Sequence, residues 1–184
     1  SYDDSGSKRF EWKDPTSDDY PTHIEVDDVG IFIVAFNSGK IKKVEYLNGQ
    51  VNFNTVWTVD IGEEPWAMGK KDTSLFVFTE NKIREYKVLD GSLIKETALD
   101  NSIAGTKNRI SIDPAGYITY VTNENGSNGS MAMLDKDHAL VWHFDGTNYN
   151  VRMGYDSFPA TAPGKQGVSL GLYTVNASDA GGTT

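Results

Sequence analysis

A pattern of short strand-like segments recurs along the chain at nearly constant spacing. Strongly apolar segments cover residues 31–36, 75–78 and 117–121, and their first residues lie 44 and then 42 residues apart. Each follows a strand-like segment and a polar turn, and each precedes two further strand-like segments. A period of about 40–45 residues with four strands per unit predicts a repeating all-β architecture.

The apolar segments are predicted to be covered on both faces. Successive side chains of a strand point to opposite sides, so consecutive apolar residues need apolar surroundings on two sides. The third segment of the first repeat, residues 41–47, mixes apolar and charged side chains on both faces, which favours a position nearer the rim. The dipeptides Asn48-Gly49 and Asp90-Gly91 predict hairpins with type I′ turns.

These repeats resemble the blades of β-propellers, most closely NHL-type and quinoprotein-like repeats. Residues 113–123, DPAGYITYVTN, are similar to the turn and inner strand of such blades, and the resemblance covers residues 22–146. The Gly-His…Trp-Asp pair of WD40 blades does not recur, and the tryptophan motif of quinone-dependent dehydrogenases is absent, so no quinone is implied. The resemblance implies an all-β, β-propeller-like array of four-stranded antiparallel blades. A β-sandwich built from the same strands is the alternative.

The repeat predicts one propeller-type domain over residues 1–184. Complete blades are expected at residues 22–62, 63–101 and 108–146, with partial blades at 8–14 and 150–176. Trp12 stands 45 residues before Trp57, which makes residues 8–14 the last strand of an earlier blade. That strand would nearly close a four-bladed ring. The preferred interpretation is a fragment of a longer propeller whose other blades come from the same or another chain.

Charge and composition exclude several classes of partner. The formal net charge is −9, from 26 acidic and 17 basic side chains, and no stripe of Lys and Arg offsets it. Nucleic-acid binding is therefore not expected. The longest apolar run is too short to cross a bilayer, so membrane insertion is not expected. The chain has no cysteine, which excludes disulfides, thiolate catalysis and thiolate-bound zinc.

Three asparagines, Asn125, Asn128 and Asn176, lie in N-glycosylation sequons. Chance occurrence in Gly-, Ser- and Asn-rich turns is the favoured explanation of these triplets.

Patterns typical of catalysis are sparse. There is no Gly-x-Ser-x-Gly elbow and no zinc-binding histidine pair among the three histidines. His138 and His143 are five residues apart and are expected on opposite faces of a strand, whereas His23 precedes the first strand. Each is predicted to be solvated or packed, so no catalytic residue and no metal ligand is assigned.

Carboxylates recur in the turn between the first and second strands, as Asp27-Asp28, Asp72 and Asp113. Convergence of these turns would create a calcium site, because calcium takes oxygen ligands. The favoured alternative is that aspartate stabilises each turn by accepting hydrogen bonds from its own backbone. No cofactor is predicted, and calcium is the single ion left open.

Ligands of propellers generally gather at the loops of one end of the ring. The candidate ligand-binding residues in these loops are Glu63, Glu64, Trp66, Asn125, Asn128, Asp145, Asn148 and Tyr149. Aromatic rings beside polar groups can stack on a sugar or anchor a protein partner. Trp57 and Trp142 lie within strands and are expected in the core.

These observations favour a non-catalytic binding or structural module of an extracellular or virion assembly, which recognises a protein or glycan. The alternative is an enzyme: a propeller hydrolase, lactonase or lyase with a metal in the central channel. The alternative needs several acidic side chains and a histidine to converge. Propellers host unrelated functions, so the fold alone does not choose between them.

Overall fold

The computed structural model describes Ser5 and residues 19–28, 31–46, 53–100, 106–123, 130–145, 159–161 and 172–174. These residues form strands and turns, with no helix among them. A helix long and apolar enough to cross a membrane does not occur in this part of the chain. The chain divides into two compact units, Ser1–Glu64 and Pro65–Thr184.

The first unit contains one antiparallel sheet of four strands in sequence order. Its strands are β1 (Pro21–Val26), β2 (Phe32–Phe36), β3 (Lys40–Tyr46) and β4 (Phe53–Asp60). Val34, Phe36 and Val44 are buried together in its core, and Phe32 packs against them. Apolar side chains at every second position of β2 therefore supply one face of this core.

The second unit contains two such sheets and a short hairpin. The first sheet has strands β5 (Ala67–Lys71), β6 (Ser74–Phe78), β7 (Lys82–Lys87) and β8 (Leu93–Ala98). The next sheet has strands β9 (Thr106–Ile112), β10 (Ile118–Asn123), β11 (Ser130–Leu134) and β12 (Leu140–Asp145). The hairpin pairs β13 (Pro159–Thr161) with β14 (Leu172–Thr174), and β13 lies beside β9 and β10.

The main core of the second unit lies between its two four-stranded sheets. Phe76 and Phe78 of β6 pack against Ile118 and Tyr120 of β10, and the rings of Phe78 and Tyr120 are 4.9 Å apart between centroids. Burial of each such side chain stabilises the fold by about 1.5–3 kcal/mol. A Cβ atom on Gly69 would lie 2.5 Å from Cδ1 of Ile110, so the absence of a side chain lets β5 and β9 approach closely.

The predicted repeat of four strands is confirmed in all three sheets, and the apolar segments form their second strands. Burial on both faces is confirmed as well. Leu75, Val77 and Phe78 of β6 have no exposed surface, although Leu75 and Val77 point to the opposite side from Phe78. Three separate sheets in sequence order favour propeller-type blades over the β-sandwich alternative.

The type I′ turn predicted at Asp90-Gly91 is wrong. Gly91 has a φ of +73°, but Asp90 does not adopt a positive φ. The loop is longer than two residues, because the N–H of Lys87 donates to the carbonyl of Ser92 at 2.9 Å. The Asp90 carboxylate instead accepts the N–H of Ser92 at 2.9 Å.

Asn48-Gly49 and residues 8–14 lie outside the described residues, and the blade boundaries within one domain stay a prediction.

Candidate active site

Three five-residue turns, at residues 27–31, 113–117 and 135–139, share one hydrogen-bonding pattern. The N–H of the first residue, always an aspartate, donates to the carbonyl of the fifth at 2.9, 3.0 and 2.9 Å. The Oδ1 atom of the same aspartate accepts the N–H of the fifth residue at 2.8, 2.9 and 2.9 Å. The aspartate side chain therefore stabilises each of these turns by a hydrogen bond to the backbone of the turn. This is the explanation that the sequence favoured for Asp27 and Asp113.

The fourth residue of the third turn is exceptional. Glycine occupies this position in the first two turns, as Gly30 and Gly116, whereas His138 occupies it in the third. Gly116 has a φ of +92° and His138 has a φ of +63°. A left-handed backbone costs a residue with a Cβ atom about 1–2 kcal/mol, although histidine tolerates it better than most. Backbone strain of this kind is concentrated at functional sites.

The imidazole of His138 is buried against the neighbouring sheet and meets a hydroxyl group. Its side chain has 0% exposed surface. Atom Nδ1 lies 3.1 Å from Oγ1 of Thr97 on β8. The ring of Phe76 meets the imidazole edge-on, with centroids 5.8 Å apart. The turn of the β11–β12 hairpin thereby places an imidazole over β6 and β8.

A carboxylate lies on the other side of the imidazole. Oε2 of Glu85, on β7, is 3.8 Å from Nε2 of His138, which has no hydrogen-bond partner in the described part of the chain. This distance exceeds that of a direct hydrogen bond. Ser74 Oγ donates to the other oxygen of Glu85, Oε1, at 2.5 Å and fixes the carboxylate. We call Ser74, Glu85, Thr97 and His138 the His138 site.

The register of the sheet explains how these side chains meet. Phe76 pairs with Glu85, Glu85 with Lys95, and Ile83 with Thr97, so the three strands β6, β7 and β8 point this set to one face. That face packs against the sheet of β9–β12, which includes the hairpin of His138. The site is therefore the polar continuation of the core between the two sheets.

The surroundings of the imidazole favour its neutral form. Burial lowers the pKa of His138, and the ammonium group of Lys95 lowers it further. The carboxylates of Glu85, Asp135 and Asp137 oppose this but do not reverse it. Lys95 also donates from Nζ to the carbonyl of Asp137 at 2.5 Å, which ties the turn to β8.

The arrangement has the parts needed for proton transfer. A neutral imidazole with its hydrogen on Nε2 presents that N–H to Glu85, and its free lone pair on Nδ1 faces the hydroxyl of Thr97. Hydroxyl, imidazole and carboxylate in this order are the arrangement that activates an oxygen nucleophile in enzymes of unrelated folds.

His138 was not predicted to be a site residue, because the sequence pattern placed it on a strand. The residue lies in a turn, so the expected opposition to His143 across a strand is wrong. His23 lies within β1 and not before it. An alignment of DPAGY with DKDHA would have revealed histidine at a glycine position. The contact with Thr97, 41 residues away, has no sequence signal.

Four of the predicted ligand-binding residues, Glu63, Glu64, Trp66 and Asp145, lie in the part of the chain that the structure describes. Glu63 is half-buried and Glu64 exposed in the first unit, whereas Trp66 is half-buried in the second. Asp145 ends β12, where its backbone pairs with Ser130. The remaining candidates, Asn125, Asn128, Asn148 and Tyr149, lie outside the described residues. The ligand site at these loops therefore stays a prediction.

Core packing is confirmed for Trp142, which lies against Val121 and Met131. Trp57 is half-buried on β4.

The described residues hold no group of three or more His, Asp or Glu side chains placed to bind a metal ion. Asp27 and Asp113 are buried and serve their turns, whereas Asp72 is exposed and pairs with Lys71 at 2.8 Å. Calcium binding at these turns stays a prediction.

Comparison with known proteins identifies the fold. No protein-family model matches the sequence, and no curated protein matches it either. The crystal structure of Myxococcus xanthus glutaminyl cyclase is similar in fold, with a TM-score of 0.51 and 11% sequence identity. The likeness covers 84% of this chain and 68% of that chain. That protein has a β-propeller-type fold, so the chain is a propeller-like, all-β protein, without support for the NHL type in particular.

The preference for a non-catalytic binding or structural module is wrong on this finding. A solved structure similar in fold, the glutaminyl cyclase, is an enzyme, which favours the enzymatic alternative over the binding module. The sequence preference rested on the absence of a catalytic pattern along the chain. The His138 site brings together residues from three strands and a turn, and such a set forms no sequence motif.

Proposed function

We propose that this chain is part of a propeller enzyme that transfers or hydrolyses acyl groups by proton transfer at His138. The observation that supports the proposal most directly is the buried imidazole between the hydroxyl of Thr97 and the carboxylate of Glu85. A second support is its left-handed backbone at a position where the equivalent turns use glycine.

The reaction class follows from the groups present. A neutral imidazole accepts the proton of a hydroxyl group, and a nearby carboxylate stabilises the imidazolium that results. This chemistry suits esters, lactones and amides, whose carbonyl carbon accepts an oxygen nucleophile. The name of the similar solved protein, glutaminyl cyclase, says that it acts on a glutaminyl group, which bears a carboxamide and falls within this class.

The proposed steps use side chains of this chain. The hydrolase, lactonase and lyase alternative of the sequence places a metal in the central channel, and that metal stays a prediction. The His138 site supplies a base, a hydroxyl and a carboxylate from its own side chains.

A small panel of acyl compounds tests the proposal on the full chain. p-Nitrophenyl acetate, an aliphatic lactone and a glutaminyl dipeptide represent an ester, a cyclic ester and a carboxamide. We expect turnover of at least one of them, and a loss of about 10²–10⁴-fold in kcat/KM for His138→Gly, the range for a general base. Glycine is the residue of the two equivalent turns, so this variant keeps the backbone conformation.

His143→Gln is the matched control. His143 lies five residues further along the same hairpin and is half-buried, but it is not part of the His138 site. Its variant should retain the activity of the wild type. Equal activity of His138→Gly and wild type, or absence of turnover on the whole panel, would contradict the proposal.

A further inference from the structure

We infer that Thr97 is the nucleophile of this site and that its Oγ1 atom forms a covalent acyl intermediate. The inference rests on the proposed function and deepens it. The imidazole of His138 has no exposed surface, so it is not placed to form a bond to an acyl group itself. The acyl group must bond to a neighbouring group that reaches solvent, while the imidazole exchanges protons with the atoms at that group.

Thr97 is that group. Its side chain is half-buried, and its Oγ1 lies 3.1 Å from Nδ1 of the buried imidazole. Ser74, the other hydroxyl of the site, donates to Glu85 and not to the imidazole. Proton removal by His138 therefore activates Thr97 and leaves Ser74 as a positioning residue for the carboxylate.

Glu85 completes the arrangement from the far side of the ring. Its Oε1 is occupied by the hydroxyl of Ser74, so Oε2 is left to face Nε2 of His138 at 3.8 Å. When the imidazole accepts a proton on Nδ1, both of its nitrogens bear hydrogen and the ring becomes positive. The carboxylate then stabilises this charge in a buried setting, where it is poorly solvated.

The steps balance without any further reagent. Nδ1 of His138 takes the proton of Thr97, and Oγ1 forms a bond to the carbonyl carbon of the acyl group. The bond from that carbon to the leaving oxygen or nitrogen breaks, and the leaving group takes the proton back from the imidazolium. Water then attacks the threonyl ester with His138 again accepting a proton, which releases the acid and restores Thr97.

Rapid mixing of the full chain with p-nitrophenyl acetate, followed by an acid quench, tests the inference. We expect a burst of p-nitrophenol stoichiometric with the chain and a mass increase of one acetyl group, which peptide mapping places on Thr97. Thr97→Val, which keeps the shape and removes the hydroxyl, should show neither burst nor adduct. Thr97→Ser should restore both, because it returns the hydroxyl.

Thr58→Val is the matched control, since Thr58 is exposed on the outer strand β4 of the first unit. It should behave as wild type. Urea unfolding and circular dichroism confirm that each variant folds. If Thr97→Val fails to fold, the position of the adduct in wild type and the behaviour of Thr97→Ser still decide.

The outcomes separate this inference from the proposed function. Full activity of Thr97→Val beside an inactive His138→Gly would overturn the inference and leave the proposed function standing. An acetyl group mapped to another residue, or loss of activity in Thr97→Val without any adduct in wild type, would overturn it as well. Full activity of His138→Gly would overturn both.

Discussion

His138 occupies the position in its turn that Gly116 occupies in another turn with the same hydrogen bonds. In both turns the fourth N–H donates to the carbonyl of the opening aspartate at 3.0 Å, and in both the fourth φ is positive. The turn of Gly116 therefore shows the same backbone conformation as the turn of His138, but with a residue that has no side chain. Variants at position 138 can thus separate the effect of backbone strain from the chemistry of the imidazole.

The first prediction concerns stability at position 138. His138→Ala keeps a Cβ atom at a φ of +63°, whereas His138→Gly removes it. Both variants lose the buried imidazole, so their difference isolates the backbone. We expect His138→Gly to be more stable than His138→Ala by about 1 kcal/mol in urea unfolding. An alanine variant as stable as the glycine variant would show that the turn has relaxed to another conformation.

The second prediction concerns pH. The pKa of His138 lies below its ordinary value of 6.5, because burial and the positive charge of Lys95 both lower it. The negative charges of Glu85, Asp135 and Asp137 raise the pKa, but their effect is smaller. The folded state then binds fewer protons than the unfolded state below that pH. This contribution to stability is fully present above pH 6.5 and is lost as the pH falls towards the folded-state pKa.

Unfolding free energies at about pH 7.5 and about pH 5 measure this contribution. Wild type should lose more stability on acidification than His138→Asn, whose side chain does not titrate and tolerates the left-handed backbone. An equal loss in both proteins would mean that the imidazole has the same pKa folded and unfolded.

The third prediction concerns a buried ion pair in the first unit. Lys43 Nζ lies 2.8 Å from Oδ2 of Asp27, with 7% and 6% of these side chains exposed. Lys43→Met leaves a buried carboxylate without its cation, which should destabilise the protein by about 3–5 kcal/mol. Lys40→Met is the control. Lys40 is 40% exposed and 3.8 Å from Asp19, so its loss should change stability by less than about 1 kcal/mol.

The fourth prediction concerns the close approach of β5 and β9. The Cβ atom of Gly69→Ala would meet Cδ1 of Ile110 at 2.5 Å, so the isoleucine or the strand must shift. We expect a loss of about 1–3 kcal/mol in thermal or urea unfolding. Ile110→Val removes the terminal methyl group, and the double variant should recover part of the loss. Strictly additive effects would contradict direct contact between these positions.

Much of the fold was predictable because it depends on local patterns. The even spacing and the consecutive apolar residues predicted three sheets of four strands, and burial of β6 on both faces confirms the physical reason. The prediction of a type I′ turn at Asp90-Gly91 was wrong. The preference of the Asp-Gly dipeptide for that turn was outweighed by a longer loop, in which the Asp90 carboxylate accepts the N–H of Ser92.

The candidate active site was not predictable, for two physical reasons. Thr97 and His138 meet through packing of two sheets, and a contact across 41 residues leaves no spacing rule. His138 adopts a backbone conformation that sequence patterns assign to glycine. The prediction of a non-catalytic module followed from the absence of a sequence motif, since polar groups that come from separate strands look like ordinary polar residues in the sequence.

The pH dependence of kcat/KM for p-nitrophenyl acetate tests the central claim most directly, because its acid limb reports the pKa of the base in the free enzyme. A neutral, buried His138 predicts that activity falls on acidification with a midpoint below 6.5. Activity that is unchanged or rises through that pH range would contradict the assignment of His138 as the base.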